Sequence, residues 1–145
     1  MSAKMRRRAS VVCLHDGCIL VVKLQDPTSK EILYCMPGGE IDTDELPSQA
    51  AIRETLEETG LSIRIDTDSH YLQNNYVFHW DGKDVKCSTD WFYAEVDGDT
   101  ELRPVKDVEY NLGSIWLQIA NIDKAFDYHP QIKKIIFNYI HKYSK

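Results

Sequence analysis

Glu54, Glu57 and Glu58 stand close together in MPGGEIDTDELPSQAAIRETLEETGL, residues 36–61. A helix turns about 100° per residue. On that geometry the three carboxylates share one sector about 100° wide. Ile52 and Leu56 fall nearly opposite, where they are expected to bury into the core. Like charges at such spacings destabilise a helix by about 0.2–0.5 kcal/mol per pair. From Glu40 to Ser62 the one basic residue is Arg53, so lysines do not relieve the repulsion. Two readings follow: a solvated acidic face, or a site for a hard divalent cation, which takes oxygen ligands together with substrate phosphates. Gly38 and Gly39 precede the run and allow the backbone to pass close to a ligand. Glu45 lies eight residues before Arg53 and is expected to reach it, holding the loop against the helix.

The elements that must carry these groups are legible in outline. Residues 8–14 and 18–24 are rich in β-branched and aliphatic side chains, and His15-Asp16-Gly17 between them marks a hairpin. Residues 32–36 form a short strand ending at Pro37. The glutamate helix spans Pro47 to Thr59, with proline in its first turn and Gly60 as its C-terminal cap. Strands are expected at 61–65, 70–80 and 87–96, with Asp81-Gly82 as a second hairpin turn, and SIWLQI reads as a further short strand. Ile132, Ile135, Ile136, Tyr139, Ile140 and Tyr143 recur at helical spacing and predict a C-terminal helix with one apolar face. The sum is an α/β domain with a mixed sheet between helices.

Composition narrows the function. The 145 residues fit one domain, 1–145, and a formal net charge of −6 argues against a nucleic acid polymer as partner. Cys13, Cys18, Cys35 and Cys87 form no CxxC pair and read as free thiols in a reducing compartment. The basic start MSAKMRRRAS lacks the apolar run of a signal peptide, and no segment approaches a membrane span. The expected location is cytoplasmic, with no membrane partner.

The spacing from Gly39 to Leu61 is G-x5-E-x7-R-E-T-L-E-E-T-G-L. It resembles the Nudix box, G-x5-E-x7-R-E-U-x-E-E-x-G-U with U a bulky aliphatic residue. Gly39, Glu45, Arg53, Glu54, Glu57, Glu58 and Gly60 match the fixed positions, and Leu61 fits the last U. Thr55 departs at the first U, which touches packing more than chemistry. Leu46 replaces a small polar cap residue, which weakens the helix start.

The resemblance implies a Nudix-like α/β/α sandwich and hydrolysis of a nucleoside diphosphate linked to another group X, with Mg²⁺ or Mn²⁺. It implies metal ligands at Glu54, Glu57 and Glu58, with the Gly38 carbonyl and a loop acid, Glu109 or its runner-up Asp107, beside them. Glu54 is the candidate general base, Glu57 acts with it in catalysis, and Arg53 with Glu45 orients them. Lys23 and the Gly38-Gly39 backbone are candidate substrate contacts. Tyr76, Phe78, Trp80, Trp91 and Tyr93 alternate on strands, either as core or as a face that stacks a nucleobase. Nucleoside triphosphates, oxidised ones included, lead as substrates. Tyr76 stands where ADP-ribose enzymes of the family often carry proline, which argues against ADP-ribose; a tyrosine near this position is more typical of the family's dinucleoside polyphosphate hydrolases, and those substrates and nucleotide sugars stay open. The upstream motif of coenzyme A pyrophosphatases is absent. The partner is a nucleotide-type small molecule, and the protein a monomer or homodimer. A non-catalytic nucleotide-binding domain of this type is the reading from another class.

Overall fold

The computed structural model describes residues 4–70, 72–103 and 110–144. Two Asp-Gly turns fold the chain locally. Asp16 and Gly17 have φ of 49° and 75°, and Asp81 and Gly82 have 55° and 71°. Positive φ at both central residues matches the right-handed twist of paired strands. The first turn joins β1 (Arg6–His15) to β2 (Cys18–Gln25); β3 (Ile32–Cys35) follows on the edge of β2.

Beyond Pro37 the chain forms a strand that the sequence pattern did not mark. β4 (Gly38–Glu40) pairs antiparallel with β1, setting Gly38 opposite Ser10 and Gly39 opposite Ala9. A Cβ at Gly38 would collide with the Ala9 carbonyl and the Ser10 side chain, and its φ is 149°. Glycine is therefore required by close backbone approach within the sheet.

Helix α1 (Pro47–Thr59) ends at Gly60, whose φ of 78° is left-handed and whose N–H returns to Leu56 O. A side chain there would overlap the Arg103 carbonyl. Gly60→Ala is accordingly expected to cost about 2 kcal/mol of unfolding free energy in urea titration. The exposed Leu46 caps nothing with its side chain, as the sequence suggested, but Gln49 Oε1 accepts from Leu46 N at 2.9 Å.

β5 (Ile63–Asp66), β6 (Leu72–Trp80) and β7 (Lys83–Val96) complete one side of the sheet, and β8 (Asn111–Gln118) adds to β2 on the other. The path runs β3-β2-β1-β7-β5, with β1 and β7 parallel and the neighbouring pairs antiparallel. Central β1 is buried on both faces, which explains its unbroken apolar run. One face packs on α1 through Ala9, Val11, Phe92 and Ala94. The other packs on α3 (Pro130–Tyr143), preceded by the single turn α2 (Ile122–Ala125), through Val12, Trp91, Ile136 and Tyr139. The expected α/β/α sandwich with a mixed sheet is the observed fold.

One expectation is reversed. Ile52 and Leu56 do not bury; they are 37% and 41% exposed, and Ala50, Ala51, Thr55 and Thr59 face the sheet instead. Small side chains let the helix lie close on β1, and that contact sets its rotation. The glutamates consequently leave the solvent side and turn toward the β4 edge.

Candidate functional site

Arg53 organises the site. Its Nε and Nη2 donate to the two Glu45 carboxylate oxygens at 2.8 and 2.9 Å, and Nη2 also reaches Glu40 O at 3.0 Å. The fork geometry suits a bidentate carboxylate. It fastens the loop after β4 to α1, as the spacing predicted. The Arg53 hydrogen bonds hold the Glu45 carboxyl down to about 2. The same guanidinium gives Nη1 to Glu54 Oε1 at 2.9 Å and lies 3.6 Å from Glu57 Oε2.

Glu54, Glu57 and Glu58 lie on one half-buried face of α1 rather than a solvated one. Glu54 and Glu57 side chains are 20% and 28% exposed. Gly39 lies under Glu54 so closely that any Cβ there would strike its carboxylate. Glu58 Oε1 accepts the Gly38 N–H at 2.9 Å. Burial raises the Glu54 carboxyl and pushes Glu58 up to about 7, against the pull of the Gly38 N–H and the Arg8 charge.

The raised Glu58 value has a thermodynamic sign. Its folded pKa of about 7 exceeds the ordinary 4.5, so the folded state holds the proton more tightly. Its stabilising contribution is complete below 4.5 and is lost as pH rises toward 7. Glu45 acts oppositely, but its window lies below 4.5. Urea denaturation of metal-free protein is expected to show Glu58 costing up to about 3 kcal/mol across the upper window, and Glu58→Gln is expected to flatten that slope.

The donor chemistry fits a hard divalent cation: three carboxylates on one helix face beside the β4 backbone, with Glu54 and Glu58 destabilised as anions by burial. Among the described residues no three acidic, histidine or cysteine side chains converge as a ready-made ion cluster. Glu54 and Glu57 are engaged by Arg53, and Glu58 by Gly38. Lys23 lies half-buried on β2 opposite Tyr34 and Gly113, with no ion pair to the glutamates among the described residues. Glu109 and Asp107 lie outside the described residues. None of the five histidines joins the glutamates; His129 caps α3, accepting from Ile132 N at 3.3 Å.

Arg8, whose charge acts on Glu54 and Glu58, lines a cleft of about 180 Å³ together with Arg6, Leu24, Phe78, Trp80 and Val85, with Cys87 at its wall. The alternating aromatics divide. Trp91 and Tyr93 are core, and Tyr76 is buried with its hydroxyl 2.7 Å from Thr89 Oγ1. Phe78 and Trp80, 6.3 Å apart, face the cleft. Arg8 escaped the sequence reading, which took residues 6–8 as a basic start. The available signal was Arg6 and Arg8 at i and i+2 on a strand, which places them on one face.

A profile of the NUDIX domain matches residues 4–139. A NUDIX hydrolase structure from Nitrosomonas europaea superposes with TM-score 0.74 at 22% identity, covering 96% of this chain and 90% of that one. The MutT protein of Methanosarcina mazei Go1 gives 0.71 at 14% identity, covering 100% and 99%. A C. elegans Ap4A hydrolase gives 0.66 at 20% identity, covering 96% and 100%. A curated MutT-like protein of Streptomyces ambofaciens is 36% identical over 58 residues, 40% of this chain; the match spans 35% of that relative's length. Among the described residues no helix is long and apolar enough to cross a membrane. The chain belongs to the Nudix hydrolase family, whose enzymes act on phosphorus anhydride bonds and generally use divalent metal ions.

Proposed function

We propose that this protein hydrolyses the diphosphate linkage of a nucleoside triphosphate, ordinary or oxidised, with Mg²⁺ or Mn²⁺. One observation carries the reading: Arg8, whose charge acts on Glu54 and Glu58 of the glutamate face, lines a cleft with Phe78 and Trp80 in its wall. The glutamate face would take the ion and phosphates, and the cleft a planar ring.

Glu57 and Glu58, with Glu54 and the Gly38 carbonyl, would hold the ion, and Glu109 is the loop acid proposed to join them. When bound, the ion neutralises phosphate charge and acidifies water for attack on phosphorus. Glu54 is the group proposed to accept the proton of that water. Arg53 fixes the Glu54 carboxylate from one side while Gly39 leaves it room on the other. Arg53 restrains the Glu54 and Glu57 carboxylates that would hold the ion. Lys23 and the Gly38-Gly39 backbone are the proposed phosphate contacts, and Phe78 and Trp80 stack the base.

Tyr76 lends no support to a dinucleoside polyphosphate, because it is buried and hydrogen-bonded rather than presented to the cleft. The test is turnover with Mg²⁺ on dNTPs, oxidised dNTPs, ADP-ribose, dinucleoside polyphosphates and nucleotide sugars. The highest kcat/KM is expected for a nucleoside triphosphate. A higher value for ADP-ribose or a dinucleoside polyphosphate would move the substrate class.

A further inference from the structure

Arg8 is a cleft residue whose chemistry the hydrolytic reading leaves unused. It sits on β1, opposite Glu40 in β4 and Thr89 in β7. It lines the aromatic cleft and also the smaller cavity beneath it, walled by Tyr76, Met36 and Trp91. Among the described residues its guanidinium makes no hydrogen bond or ion pair, and its Nε is sealed from solvent without a partner. Glu54, Glu58, Tyr76, Cys35 and Cys87 are ionisable groups near enough to interact with its charge. Arg8 as a whole is half-buried, but a sealed Nε without an acceptor is costly, and a ligand that supplies acceptors offsets the cost.

The cleft indicates which acceptors. Its other lining side chains are Leu24, Phe78, Trp80, Val85, Cys87 and Arg6. None is a carboxylate or amide, so its strong polar side-chain groups are donors. Such a site accepts a ring whose edge presents acceptors and penalises one that presents an amino group. Guanine and hypoxanthine offer O6 and N7 side by side; adenine replaces O6 with an amine. A planar fork suits the two adjacent acceptors. Arg6, more exposed on the same strand face, is left for the sugar-phosphate side.

We infer that Arg8 is a specificity-determining residue that reads the O6/N7 edge of a 6-oxopurine nucleotide held against Phe78 and Trp80. This rests on the nucleotide reading above and names its base.

Calorimetric titration of the metal-free full chain tests it without turnover. The probes are GMP, IMP, AMP, 7-deaza-GMP and ribose 5-phosphate. GMP and IMP are expected to bind about tenfold or more tighter than AMP, and 7-deaza-GMP to lose most of that advantage. Arg8→Met is expected to erase the preference and leave ribose 5-phosphate binding unchanged. If Arg8→Met weakens all probes by one factor, Arg8 holds phosphate and the inference fails. Equal affinity of wild-type protein for GMP, 7-deaza-GMP and AMP overturns it with no variant needed, as does binding of none of them. A GMP preference without triphosphate hydrolysis would sink the hydrolytic reading and leave Arg8 standing; hydrolysis without base preference would do the reverse.

Discussion

Glu57→Gln is expected to lower kcat by about 10³-fold, because it removes a carboxylate proposed to hold the ion while keeping the side chain's shape. Stability should barely move. The one ionic partner of Glu57 among the described residues is Arg53 Nη1 at 3.6 Å, and its side chain is 28% exposed. A thermal melt within about 2 °C of wild type is the accompanying control. Activity within a few-fold of wild type would remove Glu57 from the ion site. The same loss with a collapsed melt would make it structural.

Arg53→Ala is expected to damage both fold and turnover. It frees Glu45, Glu54 and Glu57 together and releases the Glu40 carbonyl. Removing one partner of a buried pair leaves uncompensated charge. With Arg53 30% exposed, the loss should be about 2 kcal/mol rather than the full buried value. Loss of an orienting partner should cut kcat/KM by about 100-fold. Arg53→Lys should restore little, since an ammonium cannot fork onto both Glu45 oxygens. If the Lys variant restores full stability and activity, charge alone is what the site requires.

Local chemistry made much of this protein readable. Asp16-Gly17 and Asp81-Gly82 announce their turns because positive φ is a property of a dipeptide. Pro47 and Gly60 bound α1 for the same local reason, and Arg53–Glu45 follows from spacing across one junction. The rotation of α1 was not readable. Ile52 and Leu56 look like a buried stripe, yet Ala50, Ala51, Thr55 and Thr59 allow closer approach to β1 and win the interface. β4 was hidden because two glycines carry no strand signal; pairing with β1 alone makes them one. Arg8 was hidden because its meaning depends on β6 bringing Phe78 and Trp80 alongside β1 through β7. Glu109, seven residues before Trp116 in the sequence, lies outside the described residues.

The most direct measurement is the product spectrum of a nucleoside triphosphate incubated with the protein, followed by phosphorus NMR with Mg²⁺ and again with a chelator. The predicted result is nucleoside monophosphate and pyrophosphate with Mg²⁺, nothing with chelator, and nothing with Glu57→Gln. Cleavage that survives the chelator, or intact nucleotide with both Mg²⁺ and Mn²⁺ present, would contradict the assignment of the glutamate face as the centre of a metal-dependent nucleotide hydrolase.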